Sequence, residues 1–414
     1  MEDMLSPAGN LWKLGLIPQA IANGLASILV LFFLISDLHG GLLDIGLVAG
    51  VSTLALVPSQ MLWGRLIDSA GRCKPFLVLG FVGMSISFIA LPWAGSVSEL
   101  IALVSLRSIL YAATLPARQL LTVESEQREG WQKGLANMQF LTTLGETMGM
   151  GIGAALVASV GFPQLFLMCG ALCGASAIAL GALAQEPGLM IQRRLVALER
   201  STSTLVAVSG LVGYPRLSPR NLEYGKVLGT LNHSTKYLML GIFSFSLAGA
   251  AFYTPLPAYF LRFYSSQAVF LVFFAGSLSG ALSYLLVGRR AGGAGKSLAL
   301  SSSVRMVVIP LLLLAALKAA PGLAVAAVVL ALLEGVSSLF DVSSMFAFLE
   351  TAQVGRAGFY GALVGLGSAG GGFLGGYVSM QFDFAPLFIL CSIICAGALA
   401  AFALQFRGAG SFKR

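Results

Sequence analysis

Apolar residues in this chain come in blocks too long and too uniform for a surface facing water. Leu29 to Ile35, Leu311 to Leu317 and Phe384 to Phe406 contain no acidic or basic side chain. A helix that crosses a bilayer needs roughly 20 apolar residues. The pattern predicts such helices at 12–36, 43–62, 75–94, 98–118, 136–157 and 163–184, and again at 237–261, 267–287, 297–318, 321–344, 357–379 and 384–406. The short alternating segments of barrel strands are missing, and hydrocarbon offers no water to open backbone groups. The predicted fold class is therefore all-α: a polytopic membrane protein with twelve transmembrane helices.

Composition agrees with the pattern. Of 414 residues, 57% are hydrophobic and 10% charged, with a mean hydropathy of +0.88, whereas soluble domains carry about 25% charged residues. The net charge of +8 is explained by topology. With an internal N-terminus, all but four of the 25 lysines and arginines fall on the cytoplasmic side, the side that retains basic loops. Arg262 and Lys318 fall outside, and Arg107 and Arg305 lie within spans. The excess is thus not a nucleic-acid footprint, and both termini are expected in the cytoplasm of a cell-membrane protein. The first apolar stretch is too long for a cleaved signal and lacks a small-residue cleavage site, so it is expected to remain as an anchor.

One long polar interruption divides the chain. Residues 185–236 contain Pro187, Pro215 and Pro219 and a basic amphipathic piece around Ile191 to Leu205, which predicts a cytoplasmic linker partly on the membrane surface. It separates an N-terminal lobe, 1–184, from a C-terminal lobe, 237–414. A repeat supports the division: Phe162-Pro163-Gln164-Leu165-Phe166-Leu167-Met168-Cys169 aligns with Phe384-Ala385-Pro386-Leu387-Phe388-Ile389-Leu390-Cys391, 222 residues on (162 to 384). At that interval Cys173 meets Cys395 and Lys74 meets Lys296. A one-residue shift pairs Gly149 and Gly151 with Gly370 and Gly372. Two pseudo-symmetric six-helix lobes of the same topology follow.

The segment Gly64-Arg65-Leu66-Ile67-Asp68-Ser69-Ala70-Gly71-Arg72-Cys73-Lys74 is expected to form the turn between the second and third spans. Its glycines permit a sharp reversal, and Asp68 is suited to accept backbone amides and pair with Arg72. It resembles the Gly-x-x-x-Asp-x-x-Gly-Arg motif of the major facilitator superfamily. The resemblance implies that fold and a gate formed by Gly64, Asp68, Gly71, Arg72 and Lys74, with the aspartate engaging the cytoplasmic end of the eleventh helix. Cys73 departs from the usual basic residue, and the second-half copy, Gly288-Arg289-Arg290 to Lys296, lacks the aspartate. Leu106-Arg107 with Tyr111 to Pro116 is similar to the family's arginine motif without its glycine. Gly145, Gly149, Gly151 and Gly153 are similar to the glycine motif of drug-proton antiporters, with Met150 in place of proline; such glycines equally serve close helix packing.

Ionisable groups inside spans are costly and point to function. Arg107 and Glu146 lie at matching depth, which predicts an ion pair, either coupled to protons or fixing helix packing. Gln139, Thr142 or Thr143, and Glu146 form one polar stripe; Glu334, Ser337 or Ser338, and Asp341 form another. The resemblance sets spans one, four, seven and ten around a central cavity, so Arg107, Tyr111, Glu334 and Asp341 are expected there with Gln19, Asn23 and Tyr253. A carboxyl whose surroundings change between two states takes up and releases protons, which makes Glu146 or Glu334 the expected proton carrier. Arg305 is expected to be structural, on a span the resemblance makes peripheral.

Other patterns are discounted. Gly293-Ala294-Gly295-Lys296-Ser297 lacks the first glycine of a phosphate loop. Cys169 with Cys173, and Cys391 with Cys395, are better small packing residues than soft-metal ligands, and no disulfide framework is implied. The sequon Asn232-His233-Ser234 falls in the expected linker. With only His39 and His233 and no Gly-x-Ser-x-Gly elbow, an enzyme is not expected. The sequence thus predicts a secondary active transporter working by alternating access: monomeric, without cofactor or metal, moving a small molecule, with protons as the expected coupling ion and efflux of an amphipathic solute as the favoured direction. The alternatives are an uncoupled facilitator and a transporter-like sensor.

Overall fold

The computed structural model describes residues 11–125, 131–184, 233–287, 294–318, 322–351 and 357–410. Nearly all of the expected linker, with its sequon asparagine, lies outside them. So do Gly293 of the discounted phosphate-loop tail and the basic residues Arg289, Arg290 and Arg356.

The described residues are helical almost throughout, with no strand among them. A 3-10 turn, Leu11–Leu16, leads into α1 (Ile17–Ser36); then follow α2 (Leu42–Ala70), α3 (Lys74–Ala90), α4 (Val97–Ala112), α5 (Thr114–Ser125), α6 (Trp131–Leu156) and α7 (Phe162–Leu183). After the undescribed segment come α8 (His233–Tyr253), α9 (Leu256–Leu261), α10 (Ser266–Val287), α11 (Ala294–Lys318), α12 (Leu323–Thr351), α13 (Ala357–Phe382) and α14 (Phe384–Gly410). Helices α4 and α5 continue one another across Ala113, and α8 and α9 across Thr254 and Pro255. Nine of the resulting rods are long and apolar enough by themselves to cross a membrane. Helices α6, α11 and α13, of 26, 25 and 26 residues, have the length as well. Ile86, Ile178 and Ile393 are 63%, 76% and 62% exposed. Branched apolar side chains standing outward in this way mark a surface made for lipid.

Two expectations about helix ends change. The turn after the second span is shorter than its motif, because α2 runs on through Gly64 and the Asp68 backbone to Ala70. Only Gly71 reverses the chain: it sits at φ 60°, ψ 30°, a left-handed cap open to glycine, and donates its N–H to the Ile67 carbonyl at 2.8 Å. The fourth span likewise outruns its expected end at 118, since α5 carries it to Ser125 and places Arg118, expected at the cytoplasmic surface, in a buried helical position.

Packing repeats with the order of spans. In the first lobe α1 lies on α6 and α7, α3 on α7 and α4, and α2 on α4; in the second, α8 lies on α13 and α14, α11 on α14 and α12, and α10 on α12. Each pair is matched by its counterpart six spans on. The duplicated sequence lies at the centre of this symmetry. The Phe33 ring meets Phe162 and Phe166 at 6.0 and 5.5 Å, and the Tyr259 ring meets Phe384 and Phe388 at 4.9 and 5.3 Å. All four duplicated cysteines are buried. Glycines provide a second equivalence. A Cβ on Gly145 would meet the Ile17 carbonyl at 3.1 Å, and one on Gly367 the Phe243 carbonyl at 2.8 Å; Gly149 and Gly371 press equally on the Ile21 and Leu247 carbonyls. These pairs stand at the unshifted interval of 222, so the one-residue shift is not needed on this face. Against the same glycines, α1 and α8 stand 226 apart (17 to 243), four residues more and close to one helical turn.

The lobes meet along two seams, α2 with α13 and α6 with α10. On the first seam backbone touches backbone: a Cβ on Gly46 would lie 2.8 Å from both the Gly372 carbonyl oxygen and the Gly376 Cα, and one on Gly372 would lie 3.1 Å from the Gly50 nitrogen. On the second seam the Phe270 and Phe274 rings cover Gly153 and Gly151, while the Thr147 and Ser277 hydroxyls share a hydrogen bond of 2.7 Å.

Candidate functional site

The polar equipment gathers in mid-span. On α12 the spacing of Glu334, Ser337, Ser338 and Asp341 keeps all four on neighbouring parts of one face, and small residues let α10 and α12 approach there. A Cβ on Gly276 would sit 3.2 Å from the Glu334 Cγ, one on Gly280 3.1 Å from the Ser338 Oγ, and one on Gly335 3.1 Å from the hydroxyls of Ser279 and Ser283. Asp341 reaches the accessible surface and accepts a hydrogen bond from the Tyr284 hydroxyl at 3.1 Å. One turn further, Ser344 and Tyr360 share a hydrogen bond of 2.7 Å. Tyr253, half-buried on α8, turns its hydroxyl toward Ser337 and Glu334.

Arg305 of α11 enters this cluster and is not peripheral. It is 5% exposed. Its Nη2 donates to the Ser337 Oγ at 2.5 Å and its Nη1 to the Phe245 carbonyl at 3.4 Å, with the guanidinium 3.9 Å above the Phe245 ring and 5.7 Å from that of Tyr253. Gly249 gives it room, since a Cβ there would lie 2.6 Å from Nη1. Arg305, Asp341 and Tyr253 are among the charged and polar neighbours of Glu334.

Glu146, on the opposite lobe, is half-buried where Gly24 lets α1 touch the α6 backbone. Its charged neighbours are Arg118 of α5 and Glu334 of α12. Glu146 and Glu334 thus stand on helices of opposite lobes, α6 and α12, that both pack against α10. The expected ion pair of Glu146 with Arg107 does not form. Arg107 points into its own lobe, with its guanidinium 5.1 Å from the Phe88 ring of α3, and Cys169, Cys173 and Tyr111 around it. Its Nε is buried and unpartnered. The two residues share a depth, but they face different helices.

The other expected cavity residues divide. Gln19 is 1% exposed, with its N–H bonded to the Ser176 Oγ of α7 at 2.8 Å and its side-chain Nε2 unpartnered; it belongs to the packed interior of the lobe. Asn23 and Tyr111 are half-buried, and the Asn23 Oδ1 has no partner. Tyr111 carries the Arg118 guanidinium 5.8 Å from its ring. In the motif, Gly64 stands in open space within α2, Arg72 is exposed and Lys74 opens α3. The Asp68 side chain lies outside the described residues. Sequence reasoning missed Arg118 and Tyr284. Both occupy helical positions whose neighbours come from other spans, so no local spacing betrays them. No group of three or more histidine, cysteine or acidic side chains placed to hold a metal ion comes together among the described residues.

A bundle of apolar helices in two symmetric lobes, with ionisable side chains held at mid-depth, defines a multi-pass membrane transporter fold. Residues 14–357 match the family model of the Major Facilitator Superfamily, and the chain belongs to that family. Among curated relatives it is similar to the multidrug efflux pump Tap of Mycolicibacterium fortuitum, 27% identical over 46% of this chain and 47% of the pump. It is also similar to the major facilitator superfamily multidrug transporter mfsB of Aspergillus fumigatus, 29% identical over 33% of this chain and 22% of that protein. The matches thus span about half of the first relative and about a fifth of the second. Two solved structures share the fold: the human organic anion transporter MFSD10 (TETRAN), with a TM-score of 0.67, 15% identity and coverage of 95% of this chain and 98% of that one, and a point mutant of the nucleoside transporter NupG, with 0.69, 13%, 97% and 100%.

Proposed function

We propose that this member of the Major Facilitator Superfamily is a proton-coupled efflux carrier for amphipathic compounds, working by alternating access as a monomer. In this reading the chain crosses the membrane twelve times, both termini are cytoplasmic, and lobes 1–184 and 237–414 are joined by the linker 185–236. The observation that carries the reading is the pair of mid-span carboxyls, Glu146 on α6 and Glu334 on α12, held on helices from opposite lobes that both pack against α10. Two carboxyls from opposite lobes lose charge repulsion when one takes a proton, and a change in lobe spacing changes that repulsion. Asp341 and Ser344 of α12 and Tyr284 of α10 supply further sites for proton exchange. Asn23, Tyr111 and Tyr253 offer polar contacts among aromatic walls to a lipophilic solute, and the curated relatives named as multidrug pumps support efflux. The gate residues Gly64, Asp68, Gly71, Arg72 and Lys74 belong to the same proposal.

The test uses purified full-length protein in liposomes, an imposed pH gradient and the dye ethidium. Wild-type protein accumulates ethidium against its gradient. Glu334→Gln and Glu146→Gln lose at least tenfold of that accumulation and keep ethidium counterflow. Full accumulation in both variants would overturn proton coupling. Absence of both accumulation and counterflow in the wild type would favour the sensor instead.

A further inference from the structure

Arg107 is a cation that the protein leaves unanswered. Its Nε is buried without a partner, and among the described residues no hydrogen bond or ion pair holds the rest of the guanidinium. Both Nη atoms of Arg305, by contrast, donate to protein oxygens. Arg118, further along the same rod as Arg107, has Glu146 as a charged neighbour. A charge without a counter-ion inside hydrocarbon is costly and is kept where it serves a function. Arg107 is half-buried, which leaves its fork within reach of a molecule from outside the packed core.

Further unused polar groups stand at the same level. Arg107 of α4 has Cys169 and Cys173 of α7 around it. On that face of α7, Ser176 accepts the Gln19 N–H of α1 at 2.8 Å, and the Cys169 Sγ donates to the Ala22 carbonyl at 3.6 Å. Gln19 and Asn23 therefore lie where α1 meets the α7 residues that surround the guanidinium. Gln19 is 1% exposed with its Nε2 unpartnered, and the Asn23 Oδ1 is unpartnered as well. The neighbouring walls are aromatic: the Phe88 ring lies 5.1 Å from the guanidinium carbon, and Tyr111, one turn on along α4, is half-buried.

We infer that Arg107 and Gln19 form a carboxylate subsite in the first lobe, which takes the head of an aromatic carboxylic acid. The edge of a guanidinium matches the two oxygens of a carboxylate. The Gln19 amide adds a neutral donor, and the Tyr111 ring flanks the apolar body. One positive charge suits one negative charge, whereas a phosphate dianion would keep an uncompensated charge in hydrocarbon. The inference rests on the reading of the chain as a carrier of amphipathic compounds and names one class among them.

The test is calorimetric titration of the purified full chain in detergent with phenylacetate and, as its uncharged match, phenylacetamide. Wild-type protein binds the acid at least about tenfold more tightly than the amide, the scale of a hydrogen bond to a charged group. Arg107→Met abolishes that preference. Arg107→Lys keeps the charge without the fork and retains part of it. Gln19→Leu weakens binding of the acid about threefold, the scale of a neutral hydrogen bond. Equal affinity for acid and amide in the wild type, no binding of either, or an undiminished preference in Arg107→Met overturns the subsite. Should Arg107→Met not fold, Gln19→Leu decides, and an unmoved affinity for the acid overturns it. No transport step or pH gradient enters the measurement. A wild type that prefers phenylacetate in this way but neither accumulates nor exchanges ethidium would therefore strike the carrier reading and leave the subsite standing.

Discussion

Each lobe encloses one arginine beside a Cys-x-x-x-Cys pair on its last helix: Arg107 near Cys169 and Cys173, Arg305 near Cys391 and Cys395. An aromatic ring lies under each guanidinium, Phe88 at 5.1 Å and Phe245 at 3.9 Å. The likeness ends there. Arg107 comes from the fourth span and Arg305 from the ninth, which are not counterparts in the repeat. Both Nε atoms lack a partner, but Arg305 is bonded to Ser337 and Phe245 with Glu334 close by, whereas Arg107 has no acidic neighbour among the described residues. The scaffold of the two lobes is thus shared while their charge chemistry is not. Packing tolerates no change at glycines pressed on a neighbouring backbone, but the placement of charge is free to diverge wherever a long side chain reaches a common spot.

The comparison can be broken most severely through the shared scaffold. Gly149→Leu and Gly371→Leu drive a side chain into the Ile21 and Leu247 carbonyls, which belong to helices that cannot yield. Each is expected to cost above about 3 kcal/mol and to abolish the monodisperse peak in size-exclusion chromatography, to the same degree in both lobes. A clear difference between them would end the claim of structural equivalence.

A smaller, signed effect separates the arginines. Arg305→Met gives up hydrogen bonds from a charged group and is expected to lower stability by about 2 kcal/mol. Arg107→Met relieves a half-buried cation without an acidic neighbour among the described residues and is expected to raise stability by about 1 kcal/mol. Thermal unfolding of the detergent-purified variants measures both, and shifts of the same sign would remove the contrast.

The smallest effect sharpens the symmetry. Tyr259 matches Phe33, but its buried hydroxyl has no hydrogen-bond partner. Tyr259→Phe makes the two aromatic triads alike and is expected to change stability by less than about 1 kcal/mol, in the favourable direction. A large loss in the same unfolding assay would mean that the hydroxyl serves a partner after all.

Much of the scaffold was legible in the sequence, and less of the site. Apolar block length located every described membrane-length helix to within a few residues at most ends, because hydrocarbon thickness fixes that length. The duplicated Phe162 to Cys169 segment revealed the symmetry of α7 and α14 since both copies kept their aromatic and thiol packing. The equivalence of α1 and α8 stayed hidden: its interval changes by four residues and Phe33 is answered by Tyr259. Depth along a span paired Arg107 with Glu146, but depth carries no information on rotation about the helix axis, and the two face different neighbours. Arg305 was set aside by the position of its helix, whereas the length of the side chain and the gap at Gly249 decide where its charge arrives.

The seam of Gly46, Gly50, Gly372 and Gly376 has a mechanical consequence. Helices that mesh through side-chain ridges must unseat those ridges before they can tilt, and on the α6–α10 seam two phenyl rings and a hydroxyl bridge would have to come apart. At Gly46, Gly372 and Gly376 backbone meets backbone, so along that edge the Phe373 ring over Gly50 and the Val57 side chain against Gly365 are the ridges that would have to yield before α2 and α13 could roll on one another.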